Sequence, residues 1–219
     1  MKQKRKKITI KKLILAQNYL SKKVVIKYNP LVSKSRYICA FDISYKSSIA
    51  FVVAVMWDIL KNSPIEICIY RDKVEFPYIP TFLAFREVKP IIVAYKHLTI
   101  SPDILLIDAH GILHPRKIGC ASHIGIILNK PSIGVAKKGL VGKLIDTGKG
   151  YANVVFNGEI LGRALFENGK PYLYISPGHL IDLEQSYELV LKLIHDHKYP
   201  EPLYIADRLT KKVRKLLIE

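Results

Sequence analysis

The order of hydrophobic patterns along this chain predicts a single α/β domain, a mixed sheet flanked by helices. Three observations carry that expectation. β-Patterned segments come first, a continuous apolar run at 103–108 (DILLID) follows a helical stretch, and an Asn-Gly dipeptide joins two later β-patterned segments. An unbroken apolar run marks a strand buried on both faces, as in the parallel part of a helix-covered sheet. Asn-Gly is the strongest short signal for an antiparallel hairpin. Parallel and antiparallel pairing together make the sheet mixed.

Taken in order, 37–44 is a short apolar strand, 49–59 a second, and 65–74 a third with Ile65, Ile67 and Ile69 on one face. A helical stretch covers 81–97, and Pro90 is expected to break it into two helices. The buried strand 103–108, a helix at 122–128 and a short buried strand at 132–136 follow. The hairpin comes next, 152–156 and 159–166 turned by Asn157-Gly158, then a strand at 171–176 and helices at 182–195 and 202–217. Three strands, a helix, a buried strand, a helix and another strand make the order of a ribonuclease-H-like core. Residues 1–36 are expected to form a basic N-terminal segment, helical and packed on the domain formed by 37–219.

Charge gives the first indication of function. The 219 residues hold 35 Lys and Arg against 18 Asp and Glu, a formal net charge of +17. Such an excess attracts polyanions, because each cation that meets a phosphate releases a condensed counterion. Much of it lies at the ends, in Lys2, Lys4, Arg5, Lys6, Lys7, Lys11 and Lys12, and in Arg208, Lys211, Lys212, Arg214 and Lys215. For these clusters a merely solvated surface is a serious competing reading. The longest apolar stretch, 49–57, is far short of the roughly 20 residues that a membrane span needs. The basic start leads into no secretory signal pattern. Cys39, Cys68 and Cys120 are widely spaced and form no C-x-x-C pair, as expected of reduced thiols in a cytoplasmic protein.

Two carboxylates fall where carboxylates are costly. Asp42 interrupts an apolar strand and Asp108 terminates the buried run. If the two strands are neighbours, both side chains emerge at one rim of the sheet, where their repulsion is relieved by a divalent cation between them. Oxygen ligands select magnesium or manganese over zinc. Glu87, in LAFRE, is a candidate third ligand; alone it reads equally as a solvated helix residue, as Asp42 alone reads as a turn-initiating Asp. His110, His114 and His123 cluster after Asp108 as candidates to orient water, protonate a leaving group or bind phosphate. Lys137 ends a strand and is a candidate phosphate contact, or half of a surface lysine pair. In the segment Phe76-Pro77-Tyr78-Ile79-Pro80, two prolines stiffen an extended loop. Such a loop serves equally as a wedge between bases or as a buried loop whose Tyr78 ring fills the core.

At these residues the chain resembles the endonuclease V family. FDISY, PYIPTFLAFRE, LLIDAHGILHPRKIGCASHIG, SIGVAKKGL, SPGH and PEPLYIADR occur in that family's order and approximate spacing, from about 37 to 215. The resemblance implies a ribonuclease-H-like fold and a magnesium-dependent endodeoxyribonuclease, in which manganese substitutes. Such an enzyme nicks a strand one nucleotide beyond deoxyinosine on the 3′ side; deoxyinosine is the product of adenine deamination. Some relatives prefer inosine in RNA. The resemblance makes Asp42, Glu87 and Asp108 the metal-site acids, Lys137 the lysine near the scissile phosphate, and His114 and His123 accessory histidines. Tyr78, with Pro77, Ile79 and Pro80, becomes the wedge. Asp207 takes a position where members carry His or Asp. Two departures stand out: Thr81 and Ala109 replace glycines common in the family near the lesion pocket, so the range of bases accepted is open. DNA containing deaminated bases is the expected partner of a monomeric enzyme. An inosine-directed ribonuclease of the same fold and a non-catalytic nucleic-acid binder are the alternatives, the latter disfavoured because a pure binder has no use for buried anions facing phosphate. A small-molecule phosphohydrolase would share the acids without needing the basic charge or the wedge.

Overall fold

The structure, a computed structural model, describes residues 9–216. The basic start, Lys2 to Lys7, and the expected last helical residue, Leu217, lie outside them. Nine strands form one sheet in the order β3-β2-β1-β4-β5-β9-β8-β7-β6. β1 (Tyr37–Lys46), β2 (Ile49–Asp58) and β3 (Ser63–Lys73) are antiparallel, β4 (Ile104–Ile107) and β5 (Ser132–Ala136) extend β1 in parallel, and β9 (Lys170–His179) returns antiparallel to β5. β8 (Glu159–Glu167), β7 (Tyr151–Phe156) and β6 (Lys143–Asp146) complete the far edge. The sheet is mixed, as the sequence predicts.

Period-two alternation divides its faces. Cys39, Phe41, Leu105 and Ile107 face α2 (Ala84–Lys96) and α3 (Cys120–Leu128), whereas Ile38, Ala40, Ile104 and Leu106 face α4 (Leu183–Lys192) and α5 (Glu201–Leu216). The isoleucine face of β3 lies on the α5 side, where Ile65, Ile67 and Ile69 remain exposed. The first helix, α1 (Ile10–Ser21), buries only Leu13 and Gln17. No helix among the described residues is long and apolar enough to cross a membrane. All three cysteines are free, with Cys39 and Cys120 buried.

One local expectation is corrected, and one strand was not expected. Pro90 does not split the helix; α2 runs through it, although a proline there removes one hydrogen bond. Val88 before it and Ile91 and Ala94 after it enter the same core, so packing holds the two halves in line. β6 is too short and too exposed to show an apolar pattern. The Asn157-Gly158 turn is as expected, with φ of 51° and 80°, both positive as a two-residue hairpin of this kind requires.

One glycine fixes how closely the segment after β4 approaches β5. A Cβ on Gly134 of β5 would meet Gly111 N at 2.2 Å and Ala109 O at 2.4 Å. The segment that follows Asp108 therefore lies directly on β5. Backbone atoms cannot yield as a side-chain tip can, so Gly134→Ala should lower unfolding free energy by about 1–3 kcal/mol. Urea unfolding followed by circular dichroism tests this; an unchanged midpoint would refute the close approach.

Candidate active site

The parallel pairing of β1 with β4 ends at Phe41 and Ile107, and the Asp108 N–H donates to Phe41 O at 3.1 Å. Asp42 and Asp108, next along each strand, thus leave the sheet side by side on its α5 face. α5 supplies Asp207 from the same side. One oxygen from each of Asp42, Asp108 and Asp207 lies within 4.8 Å of the others. One turn further on, the Thr210 hydroxyl lies 2.7 Å from Asp42 Oδ2 and 3.0 Å from the Asp207 carbonyl, tying the helix to β1.

Cations and burial balance this charge. Lys137, at the end of β5, places Nζ 3.0 Å from Asp207 Oδ1 and 3.9 Å from Asp108 Oδ2, with its ammonium over the Tyr199 ring at 4.6 Å. Lys211, one turn beyond Asp207, donates to its Oδ2 at 2.6 Å. Burial, then the charge of Asp42, pushes Asp108 up to about 7, with Lys137 opposing. Burial also raises Asp207, but hydrogen bonds from Lys211 and Lys137 outweigh it and hold that carboxyl below the ordinary range. Three converging carboxylates with hard oxygen donors fit a divalent cation.

Glu87 enters from the opposite face, on α2. Tyr45 donates its hydroxyl to Oε1 at 3.1 Å and the Cys120 thiol lies 3.8 Å from Oε2. Glu87 is therefore adjacent to the three aspartates without being one of the convergent set. Burial first, with Asp42 and Asp108 adding, lifts it to about 8, against the opposing hydrogen bond from Tyr45.

The histidines lie on the same side as Glu87, each lowered to about 4 chiefly by burial. His110 Nε2 lies 2.9 Å from Lys138 O, and His114 Nε2 2.9 Å from Thr81 O. His123 packs edge-on against Phe85. His110 and His114 line a cavity of about 300 Å³ with Tyr78, Thr81, Leu83 and Ala109. The ring of Tyr78 is not a core residue: at 68% exposure it stands free at the rim. Pro77, Ile79 and Pro80 flank it, and Arg86 donates to the Phe76 carbonyl at the base of the loop.

Thr210, Lys211, Tyr199, Tyr45 and Gln17 were not legible as site residues. The first two carried a signal, since positions three and four after Asp207 share its helix face; the others meet the site only through tertiary packing.

These shifts give a pH dependence with a definite sign. Asp108 and Glu87 have folded values above their ordinary 3.8 and 4.5, so the folded state holds protons that the unfolded chain has released. Their stabilisation is complete below the unfolded values and is lost as pH rises through about 7 and 8. The depressed histidines act only below their ordinary 6.5. Between pH 6.5 and 8 the metal-free protein should therefore lose melting temperature steadily, and Glu87→Gln should flatten the fall. A profile rising over that window, in calorimetry with chelator present, would contradict the assignment.

Comparison with known proteins agrees with this geometry. Residues 18–208 match the family model described as endonuclease V. Endonuclease V of Thermofilum pendens is 40% identical over 187 residues, covering 84% of this chain and 80% of that protein. That of Archaeoglobus fulgidus is 34% identical over 212 residues, 96% of each. The crystal structure of endonuclease V from Bacillus subtilis superposes with a TM-score of 0.88 at 28% identity, over 96% of this chain and 94% of that one. The Ciona intestinalis enzyme, bound to DNA containing an inosine followed by a ribo-adenosine, gives 0.86 at 25% identity over 95% and 98%. A fold match across nearly the whole chain and a family match spanning every acidic residue of the cluster lead to one conclusion: this chain belongs to the endonuclease V family.

Proposed function

We propose that this chain is a magnesium-dependent endonuclease that nicks DNA on the 3′ side of deoxyinosine, one nucleotide beyond the lesion. The observation that carries the reading is a single backbone step: Asp108 joins the carboxylate cluster, and Ala109, the next residue, lines a cavity rimmed by an exposed tyrosine. A site for chemistry on phosphate and a site for a base are thus one residue apart. The inosine-containing DNA bound to the Ciona enzyme supports deoxyinosine as the base.

Asp42, Asp108 and Asp207 would hold the cation, with Glu87 adjoining them. A divalent cation supplies at such a site a polarised phosphate and a more acidic water. The protein's own groups do the remaining work. Thr210 fixes the Asp42 carboxylate, so the ligand oxygens converge before substrate arrives. The half-exposed Lys137 ammonium, paired with Asp207 beside Asp108, is a contact for the scissile phosphate. Pro77 and Pro80 stiffen the loop in advance, and Tyr78 fills the space left by a displaced base, which limits the few kcal/mol that opening a stack costs.

The test is incubation with magnesium and matched DNA and RNA strands, each carrying one inosine, with the cut mapped by electrophoresis. Nicking of the DNA strand one nucleotide 3′ to the lesion is expected; preference for the RNA strand would reassign the substrate. Asp42→Ala and Asp108→Ala should each lose at least about 1000-fold in rate, several kcal/mol of transition-state stabilisation, while DNA binding is kept or strengthened. Wild-type cutting by either variant, or in excess EDTA, would overturn the metal-dependent reading.

A further inference from the structure

One wall of the cavity is set from outside the sheet. Thr81 has φ of +68°, in the left-handed region, where a β-branched residue is strained unless its surroundings hold it. Gln17 Nε2 donates to the Thr81 carbonyl at 2.8 Å, and Arg116 reaches the same carbonyl at 3.3 Å and the Thr81 hydroxyl at 2.6 Å. His114 Nδ1 accepts from the Arg116 N–H at 3.2 Å, so Nε2 carries the proton and donates to Thr81 O at 2.9 Å. Arg116 Nε also donates to Gln17 Oε1 at 2.5 Å, and its guanidinium lies over the Phe82 ring at 4.8 Å. Gln17 comes from α1, 64 residues away in the chain, and is only 1% exposed. Phe82 N donates to Ile79 O at 2.9 Å, closing the turn at 79–82 that directly follows Tyr78. Fixing Thr81 therefore fixes the loop.

We propose that Gln17, Thr81 and Arg116 form a clamp by which the N-terminal helix positions the 76–80 loop and so sets discrimination for inosine held in a duplex. They are positioning residues that act through Tyr78. The inference rests on the reading of Tyr78 and the cavity given above. Thr81 supplies the hydroxyl that Arg116 binds, and the clamp holds it in a conformation that glycine adopts freely.

Full-length protein with magnesium is assayed on one deoxyinosine strand, single and in duplex, and amide hydrogen exchange is followed over 76–82. Gln17→Leu and Thr81→Ala should each lose about tenfold in kcat/KM on the duplex, the scale of a buried hydrogen bond removed, and distinctly less on the single strand. Exchange in the loop should quicken in both, while Thr81→Ser, which keeps the hydroxyl, retains parental behaviour. If Gln17→Leu does not fold, the Thr81→Ala and Thr81→Ser pair decides. Equal losses on both substrates, or loop exchange unchanged from the parent, would overturn the clamp. A parent that leaves deoxyinosine uncut would overturn the functional reading instead, and the exchange comparison would still decide the clamp.

Discussion

Strands β1 and β4 run parallel, and their pairing gives out just before Asp42 and Asp108; the rest of the site follows from that pairing. Two carboxylates side by side on one face of the sheet repel each other in a poorly solvated place, and the structure meets the cost in several ways. Asp108 holds its proton to about 7, Thr210 reaches from α5 to Asp42, and Lys137 closes in from β5. α5 brings a third aspartate into this crowd, which makes sense only if the negative charge is there to be used. The close contact of Gly134 with the backbone of Ala109 and Gly111 seats the segment after Asp108 on β5.

The sheet also separates two tasks. On its α5 face lie the cluster and Lys211; on its α2 face lie Glu87, Cys120 and the cavity beneath Tyr78. Just past the end of β4 two successive residues take different roles: Asp108 joins the cluster on one side and Ala109 lines the cavity on the other. A base lodged in the cavity and a phosphate at the cluster would be held by adjacent points of one rigid strand end, which favours a fixed distance between the residue inspected and the bond cut.

What was legible in the sequence was local. DILLID had to be a buried strand because nothing else tolerates so unbroken an apolar run, and Asn157-Gly158 had to turn because both residues accept positive φ. Asp42 and Asp108 stood out because each broke an apolar pattern. Where tertiary contacts decide, the sequence was silent or misleading. Pro90 should end a helix by its own chemistry, yet packing on both sides carries α2 through it. Asp207 lies in a helix full of charges, and only the fold turns it toward Asp42. Thr81 stands out in the sequence only as a departure beside the lesion pocket; its left-handed backbone and its tie to Gln17, on a helix far away in the chain, are visible only in the fold.

The central claim, that the raised carboxyls of Asp108 and Glu87 give up protons to a cation, is tested most directly by magnesium titration calorimetry at pH 7 in two buffers of different ionisation enthalpy. Binding should release protons, because Asp108 and Glu87 give up theirs when a cation replaces the repulsion that held them. Asp108→Asn should bind more weakly and release fewer. Magnesium binding with no proton release, and with the same affinity in Asp108→Asn, would contradict the account.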